Sequence, residues 1–425
     1  MRIFEKIKNS IQEKQVVKQC AATYFMIEKE LKQYEDKYFQ EVQDMPTVKH
    51  FAKREVEDKI LELIEEDERV LTILDENKES IGMKAANLCL DKIVIRALKN
   101  PEASLQQDSI GRNIGMIAIN KKLKEPALIA LDNFEASVQQ DNDGRNMGMY
   151  AVEFDMDSVA LKALDNPVAS LQQDKTGYNI GMLAGVFYKE NVALKALDNF
   201  EASLQRSMNL ENIGIIAARN DMRKSTLKAL DNQEAAVMQD EQGINMGMYC
   251  AIRGFEDGVI KAMENPIVRR QQTVFFKDTI GHYAAANGMH DATMIFLDDH
   301  IASALQNHHN ENVPMFAVEN KWEDCIAKSL ENPIASIQQN SDGNNIAMLC
   351  IKKDLEDSAI LAVQTNPALI KQRNYYQNTV REMAIARNML EVRKQIDFQI
   401  GKNWNLPVSK NETSEIDVDS EQMEG

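Results

Sequence analysis

The chain has 425 residues and a formal charge of −17, from 66 acidic against 49 basic side chains. That balance argues against a nucleic-acid partner, whose phosphates require a basic surface to displace counterions, and it fits a neutral or basic protein partner better. The cysteines, Cys20, Cys89, Cys250, Cys325 and Cys350, form no CxxC or CxxH pair, so neither a disulfide framework nor a zinc site is indicated and a reduced compartment is expected.

In chain order, residues 1–66 read as helix. Phe4, Ile7 and Ile11, then Tyr24, Phe25, Ile27, Leu31, Tyr34 and Tyr38, recur at helical spacing among nearly balanced charges. No stretch reaches the roughly 18 apolar residues of a membrane span, and the start MRIFEKIKNS lacks the apolar core of a secretory signal. The expectation is an N-terminal helical cap on a cytoplasmic protein that does not enter membranes.

From residue 67 the chain repeats itself. Asn113-Ile114-Gly115-Met116 returns at Asn146, Asn179, Asn212 and Asn245, each 33 residues on. Ser80 extends the series upstream; Thr279 follows after one extra residue, then Asn312, Asn345 and Asn378 at the regular spacing, about ten copies in all. Before most anchors stands an acid or amide, and in several copies it opens an Asp-x-x-Gly turn such as Asp108 to Gly111 or Asp141 to Gly144, in which the carboxylate bonds nearby amides and glycine accepts positive φ. The anchor Asn, Thr or Ser is a good N-cap. Five residues later a small side chain, as at Ala118, Ala151 or Cys250, lets helices approach closely. A second short helix, as in Ala160-Leu161-Lys162-Ala163-Leu164, ends at Asp-Asn, and Asn-Pro (Asn100-Pro101, Asn166-Pro167) reads as its stop. The unit is therefore predicted as turn, helix, helix, loop. Neither helix is long enough to stand alone, so stacking has to supply the core, as in a solenoid. After residue 400 the sequence turns acidic and polar, and 401–425 is expected to be a disordered tail.

These residues resemble the ankyrin repeat, whose consensus runs Asp-x-x-Gly-x-Thr-Pro-Leu-His-x-Ala-Ala. The copy at Thr279 keeps most of it, with Thr279, His282, Ala284, Ala285 and the later Gly288; elsewhere Asn stands for Thr, Gly for Leu and Met for His, and Asn-Pro replaces the Gly that usually ends the second helix. The resemblance implies an all-α solenoid of about ten units over 67–400, and a concave binding face made of turn tips and first helices. It puts the candidate partner contacts at the variable tip residues Arg112, Arg145 and Tyr178. Three later tips lose the Asp-x-x-Gly pattern and become Phe275-Phe276, His308-His309 and Tyr375-Tyr376. These aromatic and imidazole side chains are candidate anchors, since interface hot spots favour such residues. The alternative is that Phe275 and Phe276 fold inward and that Tyr375 and Tyr376 belong to a degenerate end cap.

Other chemistry finds little support. The recurring methionines Met83, Met116, Met149, Met182, Met248, Met315 and Met348 suit a soft-metal stripe in principle, but their spacing fits packing between units. The six histidines lack partners in sequence, and one carboxylate per turn cannot build a calcium site. No phosphate loop, nucleophile elbow or HExxH stands in the chain, so no catalytic residue, cofactor or metal is expected. The functional expectation is a monomeric protein–protein interaction scaffold. Its rivals are a host-directed effector whose array targets a short N-terminal activity, and a self-assembling structural array.

Overall fold

The computed structural model describes residues 2–41 and 46–404, with side chains placed for 15–36 and 52–401. The chain divides into two compact units, Met1–Phe275 and Phe276–Gly425. Among the described residues it is all-helical, with 30 α-helices, most of them seven residues or shorter, and one isolated β-bridge between Leu74 and Ser80. No described helix is long and apolar enough to cross a membrane.

In the first unit, helices α1 (Arg2–Glu41) and α2 (Pro46–Glu66) pack on each other. Cys20, Tyr24, Ile27, Leu31 and Tyr34, three or four residues apart on one stripe, are buried with Ile60, Leu63 and Ile64 in a cluster that continues into Ile81, Met83 and Ile93 of the first repeat. Lys59 reaches Glu30 at 2.6 Å, and the Glu57 carboxylate accepts from the Lys92 amide at 3.1 Å. These two helices thus pack their apolar stripe against the first repeat. Phe25 lies on the outer side, 70% exposed. The side chains of Phe4, Ile7, Ile11 and Tyr38 lie outside the described residues.

The repeat beginning at Asp108 shows how each copy is built. Asp108 Oδ1 accepts from the amides of Ile110 (3.0 Å) and Arg112 (2.8 Å), and Gly111 sits at φ 86°, where a Cβ would be strained. Asn113 then caps the first helix, Ile114–Asn120, by accepting from the Met116 amide at 2.9 Å. Lys122 at φ 60° reverses the chain into the second helix, Lys124–Ala130. A third helix follows, Phe134–Ser137, capped by Asn133. This corrects the predicted two-helix unit. Asn-Pro does not merely stop the second helix: proline takes the first position of the third, where its missing N–H costs nothing, as in Pro101–Ser104, Pro167–Leu171 and Pro333–Ile337.

The glycine two residues after the anchor has a packing reason the sequence did not reveal. A Cβ on Gly115 would lie 2.7 Å from the Cβ of Ala130 and would also strike Met147, the first helical residue of the next copy. The same close approach recurs at Gly82, Gly148, Gly181 and Gly214. The methionines Met83, Met116, Met149, Met182, Met248 and Met348 are fully buried and Met315 nearly so, as packing between units requires.

Buried polar side chains tie copy to copy. The anchor amide of Asn146 donates to the Ala169 carbonyl and to Gln172 Oε1, both at 2.9 Å, and Gln172 Nε2 donates on to the Val138 carbonyl of the preceding copy at 2.6 Å. Asn166 donates to Ser137 Oγ at 2.7 Å. Equivalent bonds recur at Asn113, Asn179 and Asn199.

The second unit carries copies capped by Thr279, Asn312 and Asn345. Its last cap is Thr379, not Asn378 as the regular spacing predicts. The second helix of the preceding copy runs to ten residues, Glu356–Thr365, which shifts the register by one, and Asn378 instead closes the turn by donating its amide to Asn374 Oδ1. The closing helix Leu390–Trp404 runs past the predicted boundary at 400. The predicted tail over 405–425 lies outside the described residues.

Candidate partner-binding surface

Each turn tip is a short exposed stretch held from both sides. From below, an opening Asp or Asn accepts two tip amides in the turns at Asp75, Asp108, Asp141, Asp174, Asp240, Asn307 and Asn340. From the side, most tips donate one backbone bond to the one before. In the first unit the Asn142 amide donates to Ile110 O and the Lys175 amide to Asp143 O, both at 2.9 Å. In the second unit His308 donates to Phe276 O, Ser341 to His309 O and Tyr375 to Asp342 O, at 2.9, 2.9 and 2.8 Å. Some polar tip side chains add to this, Asn142 Nδ2 donating to Ser109 O at 3.3 Å and Ser341 Oγ to His309 O at 2.7 Å, while others are left to solvent.

The candidate residues divide into two groups. Arg112 pairs with Asp108 of its own turn at 2.8 Å and keeps 21% of its side chain exposed. Arg145 pairs with Asp141 at 3.0 Å and lies 4.8 Å over the Tyr150 ring, while the Tyr150 hydroxyl donates to Asp141 at 2.7 Å. The hydrogen bonds from Tyr150 and the backbone and the Arg145 charge hold the Asp141 carboxyl below the usual range against its burial, while burial and the acceptor carboxylate drive the Tyr150 phenol up. Tyr178 is half-buried, its hydroxyl 3.5 Å from Glu211, and burial raises its pKa. The two arginines lock their own turns, and Tyr178 reaches the turn of the next copy.

The second group is open. Phe275, in the first unit, is 74% exposed. In the second unit Phe276 is 55% exposed, so neither phenylalanine folds inward, and Phe276 meets the exposed His308 edge-on at a centroid distance of 5.2 Å, with His309 3.6 Å beyond. Two tips further on, Tyr375 and Tyr376 are 78% and 73% exposed, with rings 5.9 Å apart and nearly perpendicular. The structure therefore groups Phe276 with His308 and His309, and separates that patch from the tyrosine pair by the polar tip of Ser341 and Asp342.

Two histidines have roles that sequence reading did not assign. His282 Nδ1 lies 2.8 Å from Thr279 Oγ1 and its Nε2 2.9 Å from the Glu311 carbonyl; burial holds its pKa below the ordinary value. His290 Nε2 lies 3.0 Å from Asp324 Oδ1, and with Cys325 they form a group of potential ligand atoms within 4.8 Å of one another. No sequence motif signals it, because His290 and Asp324 are 34 positions apart. The ion pair with Asp324, joined by Asp291, raises the His290 pKa, and burial pushes the Cys325 thiol up to about 12. The same joint between copies is made by Glu190 accepting from the Lys224 amide, so we read His290–Asp324 as a staple of the stack. Neither family models nor curated proteins match this chain.

Proposed function

We propose that the chain is a non-enzymatic protein-binding array, a divergent relative of the ankyrin class, that holds a partner protein through its turn tips. The observation that carries this reading is the exposure of Phe276, Tyr375 and Tyr376 on turn tips. Large exposed aromatics cost solubility and contribute nothing to the fold there, and interface anchors are drawn from these residue types. The Thr279–His282 pair supports the ankyrin-like assignment, since this copy keeps both residues of the resemblance in mutual contact. The excess of acidic residues favours a basic or neutral partner.

The test is selective capture. The chain and a Tyr375→Ser/Tyr376→Ser variant, and separately a Phe275→Ser/Phe276→Ser variant, are used to recover proteins from the native lysate with a photo-crosslinker on a neighbouring tip. The reading requires a partner recovered by the parent chain and lost from a variant that unfolds as cooperatively as the parent. Loss of folding cooperativity with undiminished partner recovery would sink it. A mass that grows with concentration in light scattering would favour self-assembly instead.

A further inference from the structure

The first unit carries a second surface, remote in the repeat from the turn tips, at the starts of the third helices. Three clefts of about 220, 410 and 450 Å³ open there in succession. They share walls: Asp165 and Pro167 line the first and second, Asp198 and Phe200 the second and third. Each is built from the same positions 33 residues apart. Its floor is the Asn-to-Ser hydrogen bond between copies, Asn166 to Ser137, Asn199 to Ser170 and Asn232 to Ser203, at 2.7, 2.8 and 2.8 Å. One wall is a lysine bound to an aspartate of the preceding copy, Lys162 to Asp132 in the first and Lys195 to Asp165 in the second. The rim is apolar: Phe134 is 58% exposed and Phe200 54%, with Val168 and Ile267 exposed at neighbouring third-helix starts.

Charge and spacing select the occupant. The lysines are already paired with Asp132, Asp165 and Asp198, while Glu135, Glu201 and Glu234 beside the clefts are exposed and no ion pair to them is found among the described residues. The surplus is negative. Packed helices sit about 8–10 Å apart, which is close to three residues of an extended or polyproline II chain at about 3.1–3.4 Å each. In polyproline II every third side chain falls on one face. We propose that this row seats an extended basic segment of a partner polypeptide, with a bulky apolar side chain at every third position entering successive clefts and Lys or Arg between them facing Glu135, Glu201 and Glu234. The chain's own residues 405–425 carry six acidic residues against one lysine, the wrong sign for the row.

This rests on the protein-binding reading but not on the turn tips, which the test leaves unaltered, so a failure here does not touch the tip surface and a failure there does not touch this one. The probe is a labelled synthetic peptide of repeating Leu-Pro-Lys, about fifteen residues long, titrated with the full chain by fluorescence anisotropy. Comparison peptides carry Glu in place of Lys, or the same composition with leucine at every second and fourth position. Binding of the first alone is expected, weakened about tenfold or more in Phe134→Ser/Phe200→Ser and in Glu135→Lys/Glu201→Lys/Glu234→Lys. A control reversal of equal charge on α2, Glu55→Lys/Glu62→Lys/Glu65→Lys, is expected to change affinity by less than about threefold. Absence of binding, equal binding of the respaced peptide, or equal loss in the α2 control would each overturn the proposal.

Discussion

Ser80 is the one anchor of the first unit that lacks an amide, and the consequence is visible 26 positions later. In the copies at Asn113, Asn146, Asn179 and Asn245 the anchor Nδ2 donates to the Oε1 of a glutamine at 2.9, 2.9, 2.8 and 2.8 Å. The first copy has the glutamine, Gln106, whose Nε2 donates to the Thr72 carbonyl at 2.6 Å, but its Oε1 is buried with no partner. The Ser80 cap bond itself is long, 3.4 Å to the Met83 amide. Ser80→Asn keeps a cap of equal rank and brings the missing donor to the position it holds in every neighbouring copy. A net hydrogen bond contributes about 0.5–1.5 kcal/mol, and an unsatisfied buried acceptor costs about 1–3 kcal/mol, so the gain is expected at about 1–2 kcal/mol. Urea unfolding followed by far-UV circular dichroism reads the global gain, and hydrogen exchange of the Ile81–Asn87 amides reads it locally. The partner is identified by repeating the substitution in a Gln106→Leu background, where the gain is expected to vanish. Equal stabilisation with and without Gln106, or none with it, refutes the reasoning.

Four further outcomes follow from the same structure. Asn146→Ala removes a cap and leaves the Ala169 carbonyl and Gln172 Oε1 without their shared donor, and is expected to cost about 3–4 kcal/mol by urea unfolding. Gly115→Ala drives a Cβ to 2.7 Å from Ala130, and thermal unfolding should register about 1–3 kcal/mol of overpacking. His282 is buried with its pKa lowered by desolvation, so its contribution is whole above the ordinary histidine value and is lost as pH falls below it, by at most about 1.4 kcal/mol per pH unit. Thr279→Asn/His282→Met/Leu305→Gln rebuilds this joint in the neighbouring form, and urea midpoints at about pH 7.5 and 5.5 should show the variant losing less stability on the acid side than the parent. By contrast, Tyr375→Ser/Tyr376→Ser should shift stability by less than about 0.5 kcal/mol, because these side chains pack against nothing the fold needs.

What could be read from sequence was whatever has a local signature. The Asp-x-x-Gly turns and the Asn caps involve residues two to five positions apart, and each behaves as that spacing implies. The third helix escaped because four or five residues show no period, and Asn-Pro, which begins it, also reads as a stop. The shift from Asn378 to Thr379 escaped because it arises in a lengthened second helix, upstream of the turn and its anchor. Arg112 and Arg145 stood out as variable tip residues, yet each lies four positions after an aspartate whose carboxylate it meets, a pairing that was available to sequence reasoning. The close approach at Gly115 and the pairing of His290 with Asp324 depend on the neighbouring copy, so only the stack reveals them.

The joints between copies explain why the tips are free to vary. A copy has to cap its first helix and reach across to its own third helix or the next turn. Asn achieves both with one side chain, its oxygen on the helix amide and its nitrogen on a carbonyl and a glutamine. Where the glutamine is Met238, the sulfur accepts instead at 3.2 Å. Where the cap is Thr279 there is no amide to donate; position 305 is leucine, and His282 spans from the cap oxygen to the Glu311 carbonyl. Each solution lies below the turn. In most turns the tip amides are in turn taken by an opening Asp or Asn and by the neighbouring tip's carbonyl. Some tip side chains also serve the fold, as Arg112 and Arg145 do on their aspartates, but Phe275, Phe276, Tyr375 and Tyr376 are large and exposed, and the proposed partner surface is the account we offer for them.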